Sequence, residues 1–326
     1  MKKSIRFIIL LTVLLISYQQ VYCWGFYAHK KINYYAVFLL PPEMLVLYKP
    51  NIDFITEHAT DPDKRRYAVK NEGPRHYLDI DHYGEYPYPD LPRKWKDAVA
   101  KFGEDSLMAY GIVPWHIQTM LGRLTKSFKE KNFSMIMKNS TELGHYIADA
   151  HVPLHASSNH DGQLSNQKGI HGFWESRVPE LLAEKEWDFF IGKADYIKNP
   201  GDFIWKRVLE SARAADTVLQ YERELTHTFP DDKKYSFENR NGKTIRQYSS
   251  AFTIAFNTKL GGMVERRMRQ SIYAIASFWY TAWVNAGQPD LKRLVSEKFS
   301  EADMKEFEKL NKEWSSSSKM IGREEQ

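Results

Sequence analysis

Cysteine is almost absent from this chain, which has one, Cys23, in 326 residues. Internal disulfides are thereby excluded, and stability has to come from a hydrophobic core, from bound metal, or from both. Long apolar runs are scarce too. The one at the N-terminus, Phe7 to Ile16, is shorter than the roughly 20 residues of a membrane-spanning helix, and Lys2, Lys3 and Arg6 precede it. That order, closed by a polar step to Cys23, is the order of a secretory signal peptide over residues 1–23. Cleavage after Cys23 would place Val21 and Cys23 where small residues are favoured. It would leave a cysteine-free chain starting at Trp24, secreted or periplasmic, with no stable membrane span. An uncleaved N-terminal anchor is the alternative, and bulky Tyr22 argues against a lipoprotein. A strong charge of either sign is also missing. The formal charge is +5, and Lys2, Lys3 and Arg6 supply three of those positives, so residues from Trp24 onward sit near +2. The basic sequence pI of 8.9 therefore carries no argument for a nucleic-acid partner.

Alternating strand-like runs are scarce as well, whereas apolar residues recur at helical spacing in "DSLMAYGIVPWHIQTMLGRLTKSF" and "ERRMRQSIYAIASFWYTAWV". The fold class read from this is all-α: one large multi-helix domain over residues 24–295. A charged C-terminal helix and frayed tail follow over residues 296–326. "LPPE", "EYPYPDLP", "HDGQLSNQKG" and "KNPGDF" read as loops, and no 20–50-residue repeat is present.

The densest chemical signal is "ELGHYIADAHVPLH". His145 and Asp149 are four residues apart, so on a helix they project from one face and can grip a single metal ion. Pro153 should end that helix and leave His155 on the following loop. Beyond a Gly-containing loop, "IHGFWES" repeats the four-residue spacing with His171 and Glu175 on a second helix. One such pair is ordinarily a surface ion pair; two pairs with a histidine between them amount to a ligand set. Upstream, "DPDKRRYAVKNEGPRHYLDID" adds Asp61, Asp63, Arg66 and His76. A carboxylate placed like Asp61 is usually a cap or turn residue, and spacing alone does not choose between Asp61 and Asp63.

In this order of residues the chain resembles the superfamily of secreted zinc-dependent phospholipases C and the single-strand-specific nucleases of fungi and plants. The shared pattern is an N-terminal Trp, a His soon after it, an Asp before a His, His-x3-Asp, a His six residues later, and His-x3-Glu or Asp. Trp24, His29, Asp63, His76, His145, Asp149, His155, His171 and Glu175 fill it, over roughly residues 24 to 180. The resemblance implies a multi-helix domain with a cleft holding three zinc ions. The first would be bound by Asp63, His76, His145 and Asp149. Asp149 would bridge to a second, bound also by His29 and by the free amine and carbonyl of Trp24, a ligand that signal cleavage creates. The third would take His155, His171 and Glu175. Zinc accepts such nitrogen and carboxylate donors, and an α-amine with pKa near 8 gives up its proton to a metal.

The implied activity is hydrolysis of phosphoric ester bonds, with Asp63, Arg66 and Asp149 expected to carry catalysis. Paired zinc ions lower the pKa of a water towards roughly 7, and Arg66 is a candidate clamp for charge on phosphate oxygens, or else a solvated base beside Lys64 and Arg65. Asp63-x-x-Arg66 and "ADAHVPLH" favour cleavage of single-stranded nucleic acid or nucleotides. Glu175 is the acid typical of the phospholipases, so release of phosphorylated head groups from phospholipids is the alternative. A non-catalytic zinc-stabilised binding protein is a third reading. His151 falls on another side of its helix, as an outer support or a surface residue. His58, His82, His116, His160 and His227 have no partner at metal spacing and read as structural. Phe26, Tyr27, Tyr67, Tyr77 and Trp115 are candidate pocket aromatics, although such residues more often form core.

Overall fold

The computed structural model describes residues 25–240, 242–317 and 320–321; the leader expected over residues 1–23 and the expected ligand Trp24 lie outside them. Helix makes up 68% of the structure and strand 3%. In chain order the helices are α1 (Phe26–Val37), α2 (Pro42–Tyr48), α3 (Ile52–Glu57), α4 (Asp61–Arg65), α5 (Trp95–Phe102), α6 (Glu104–Tyr110), α7 (Val113–Glu130), α8 (Phe133–Asp149) and the single turn α9 (Ile170–Gly172). They continue as α10 (Val178–Glu186), α11 (Pro200–Thr228), α12 (Asp231–Lys234), α13 (Ser250–Lys259), α14 (Met263–Asn285) and α15 (Glu301–Ser316). Among the described residues, no helix is long and apolar enough to cross a membrane.

Two prolines expected in loops start helices instead: Pro42 opens α2 and Pro200 opens α11. Proline's fixed φ and missing N–H suit the first turn, where that donor would be unpaired anyway. Among the described residues the strand content is one antiparallel hairpin between α12 and α13, β1 (Tyr235–Arg240) with β2 (Lys243–Tyr248), in which Tyr235 faces Tyr248 and Phe237 faces Arg246. The helical reading passed over it. The Asn241-Gly242 dipeptide between two β-prone runs was the available signal.

The core lies between α1, α7, α8 and α14. α7 and α8 form an antiparallel pair joined by a tight link: Lys131 takes a left-handed conformation, and the Asn132 side chain accepts the Met135 N–H to cap α8. On α14, which contacts α7 and α8, Ile272, Ile275, Phe278 and Trp279 are buried. The Trp279 indole N–H reaches the Ser140 carbonyl at 2.9 Å. Burying side chains of this size contributes about 1.5–3 kcal/mol each, which gives α8 the rigid bed on which its polar residues are held. The last helix, α15, has no buried residue and packs on α4 from outside.

Candidate metal centre

His145 and Asp149 lie on one face of the last turn of α8, both fully buried. The Nδ1–H of His145 donates to the Ala59 carbonyl at 2.8 Å, which turns its Nε2 inward. That Nε2 lies 3.0 Å from His76 Nδ1, 3.2 Å from Asp149 Oδ2 and 3.5 Å from Asp63 Oδ1. His76 Nδ1 is in turn 2.9 Å from Asp149 Oδ2 and 3.6 Å from Asp63 Oδ1. A tetrahedral zinc ion with bonds of about 2.0–2.1 Å separates its ligand atoms by about 3.3 Å. Asp63, His76 and His145 thus stand close to the spacing of a metal's coordination sphere, and Asp149 stands equally close to the two imidazoles.

Asp149 reaches a second group through its other oxygen, since Oδ1 is 3.4 Å from His29 Nε2. His29 comes from α1, and its ring stacks on His145 with centroids 3.9 Å apart. This closeness depends on Gly144, because a Cβ there would collide with the Asn33 carboxamide one turn along α1 from His29.

The third cluster rests on less regular backbone. His155 sits in the short 3₁₀ turn Pro153–Ala156 that follows α8, where its Nδ1–H donates to the His76 carbonyl at 2.7 Å. His171 and Glu175 were expected on an ordinary helix. His171 instead belongs to the single turn α9, which widens at once into the π-helical turn Phe173–Arg177 carrying Glu175. Such turns are uncommon and cluster at functional sites. His171 Nε2 is 3.1 Å from His155 Nε2 and 3.0 Å from Glu175 Oε2, and the remaining side of the triangle is 3.6 Å. The segment before α9 is tied down by Asp161, whose carboxylate accepts the backbone N–H of Gly169 and of His171.

These groups fit a cation. With its Nδ1 hydrogen committed to a carbonyl, His155 turns the lone pair of Nε2 towards His171 Nε2 and the Glu175 carboxylate, an arrangement of donors that suits a positive ion. Asp63, Asp149 and Glu175 are carboxylates taken out of water, a state that costs several kcal/mol each without positive charge nearby. Burial alone would raise the Asp149 carboxyl, but His145, His155 and His29 hold it well below the usual carboxylate range. Burial would likewise lower His76, yet Asp149 and Glu72 on either side raise it to about 9. Burial, reinforced by His29, pushes His145 down to about 3. The result is three buried groups, His29–His145–Asp149, Asp63–His76–His145 and His155–His171–Glu175, each able to hold a metal ion.

The structure separates Asp63 from Asp61: Asp63 faces the cluster, whereas Asp61 pairs with His58 at 2.6 Å and Lys64 at 2.8 Å on the outside of α4. Arg66 is fully buried rather than a solvated base, and its charge acts to lower the pKa of His76. His151 is not on the surface; it is fully buried, with Nδ1 bonded to the Ile147 carbonyl and its own carbonyl accepting from Arg267. His160, grouped with the structural histidines, stands edge-on to His171 with centroids 6.4 Å apart. His116 is buried edge-on to Tyr146, His82 stacks on Tyr110, and His227 is exposed at the end of α11. Tyr77 and Trp115 are buried, and Phe26 packs against Trp314 of α15. Glu72 was missed altogether. It is a fully buried carboxylate, and Glu72-x3-His76 has the same spacing that exposed the other pairs.

In comparisons with known proteins, no family model and no curated protein matches this chain.

Proposed function

We propose that this protein is a secreted, zinc-dependent phosphodiesterase of the phospholipase C and single-strand nuclease type. The observation that carries this reading is the pair His76 Nδ1 and His145 Nε2, 3.0 Å apart, each within 2.9 to 3.6 Å of both Asp63 Oδ1 and Asp149 Oδ2. Its two neighbouring clusters appear in the order that family uses. On this reading Asp63, His76, His145 and Asp149 hold one zinc ion; Asp149 and His29, with the amine and carbonyl of Trp24, a second; His155, His171 and Glu175 a third. When bound, zinc ions lower the pKa of a water to about 7 and polarise a phosphoryl oxygen. The chain's own part is to fix its donors before substrate arrives. The Ala59 and His76 carbonyls set the tautomers of His145 and His155, and Asp149 spans two positions through its two oxygens. Arg66 supplies positive charge for phosphate oxygens at the cluster's edge.

Cleavage of single-stranded nucleic acid is the preferred activity, on the Asp63-x-x-Arg66 spacing. The test is hydrolysis of single-stranded DNA by the chain beginning at Trp24, compared with chelated and zinc-restored samples. Chelator-sensitive cleavage supports the nuclease reading. A zinc-loaded protein that spares DNA but releases phosphorylated head groups from phospholipid is a phospholipase C. One that binds zinc and hydrolyses neither is a binding protein, and one that binds no zinc overturns the proposal.

A further inference from the structure

Glu72 takes no part in the three clusters, yet it is as deeply buried as they are. It lies just before the 3₁₀ turn Gly73–Arg75, and its carboxylate gathers four groups. Arg75 Nη1 donates to it at 2.7 Å and Arg65 Nε at 3.3 Å, and the Tyr146 hydroxyl donates to it from the side. Its Oε1 also faces His76 Nε2 at 3.6 Å. His76 is thus held from both ends, with Nδ1 among Asp63, His145 and Asp149 and Nε2 towards Glu72.

A histidine that offers a lone pair at Nδ1 must carry its proton on Nε2, and a carboxylate opposite Nε2 favours that tautomer. We infer that Glu72 is a positioning residue for the metal centre, fixing the tautomer and ring orientation of His76 so that Nδ1 points at the cation. The Arg65 and Arg75 guanidiniums keep the carboxylate ionised, and Tyr146, edge-on to His76 with centroids 5.4 Å apart, blocks the ring from rotating. The reach of this device extends beyond one site. The backbone carbonyl of His76 holds the Nδ1–H of His155, so His76 also stands behind the third cluster.

This inference rests on the zinc reading, and the experiment separates the two. Zinc content and affinity of the full chain are measured by chelator competition for the wild type, Glu72→Gln, Glu72→Asp and the control Glu142→Gln. Glu142 pairs with Arg65 at 2.8 Å, so its loss disturbs the same arginine without touching His76. The expected result is a loss of roughly 10–100-fold in affinity for one ion in Glu72→Gln, the range for losing such an outer partner. Glu72→Asp, which keeps the charge for the arginines but draws back from His76, should lie between, and Glu142→Gln should match the wild type. Wild-type affinity in both Glu72 variants, or an equal loss in Glu142→Gln, would overturn the inference while leaving the zinc reading intact. Absence of zinc from the wild type would overturn the zinc reading itself and the inference with it. Glu72→Asp keeps the test decisive if the glutamine variant fails to fold.

Discussion

The cluster around Asp149 and the cluster around Glu175 use the same residue types at similar spacings, but they are built differently. The first is anchored on the end of a capped 17-residue helix packed against α1, α7 and α14, with every imidazole braced by a carbonyl, a carboxylate or another ring. The second is carried on a 3₁₀ turn, the single turn α9 and a π-helical turn, and it is held by backbone N–H groups donating to Asp161 and by the His76 carbonyl. Rigidity at the first comes from core packing that any helix pair can supply. At the second it comes from particular polar contacts. If the clusters hold the proposed zinc ions, metal loss should begin at the second, and damage to the first should reach further.

The largest break in this comparison is Asp149→Ala. Because Asp149 faces both His145 and His29 through separate oxygens, its loss should remove two ions, leaving one of three by metal analysis. Hydrolysis should fall by at least about 10³-fold, the scale on which a single transition-state contact already costs 10²–10³. Retention of two ions would show that Asp149 does not bridge. His171→Ala should be narrower in effect, with one ion lost, two kept, and helical circular dichroism unchanged. If that variant lost all three ions, the two clusters would be one cooperative unit and the contrast drawn above would be wrong.

A third prediction probes how helix contact serves the first cluster. Gly144→Ala places a methyl group against the Asn33 carboxamide, and either that side chain or α1 must shift to admit it. Overpacking of this kind costs about 1–3 kcal/mol. The melting temperature should fall, and the ion shared by His29 and Asp149 should be the one weakened. An unchanged melt would mean that Asn33 swings aside at no cost.

The same contrast explains which parts of the site could be read in advance. His145 and Asp149 stand on a regular helix, where a spacing of four fixes a common face, so their meeting follows from the residue string. Asp63 and Asp61 were indistinguishable because both lie in the short α4, and only the packing of that turn against α8 decides which one looks inward. Glu72 and His76 share the telling spacing but sit around a 3₁₀ turn. There the carboxylate meets the far nitrogen of the ring instead of joining it at the metal position. His160 had no partner at ligand spacing, and only the fold of the 158–169 segment brings its ring beside His171. The hairpin was legible from Asn241-Gly242, a local signal outweighed by the helical periodicity on both sides.

The smallest effect expected lies at the surface helix α15, which has no buried residue of its own. Ser300 and Asp303 form a capping box at its start, and Asp303 also binds Lys138 of α8 at 2.7 Å and Ser134 at 2.9 Å. Burial acts to raise the Asp303 carboxyl, but Lys138, Ser300 and Ser134 together hold it well below the usual range. A carboxyl depressed by folding stabilises the native state at every pH above its unfolded value of about 3.9. That stability is lost as the pH falls through the lower, folded value. Asp303→Asn should therefore lower the melting temperature near neutral pH by on the order of 1–3 °C, the shift that about 1 kcal/mol or less makes in a chain of this size. The gap from the wild type should close at acid pH, where the wild-type carboxyl is protonated too. A gap that persists unchanged at acid pH would assign the contribution of α15 to Phe307 and Trp314, which pack on His58 and Phe26, and not to the Asp303 charge.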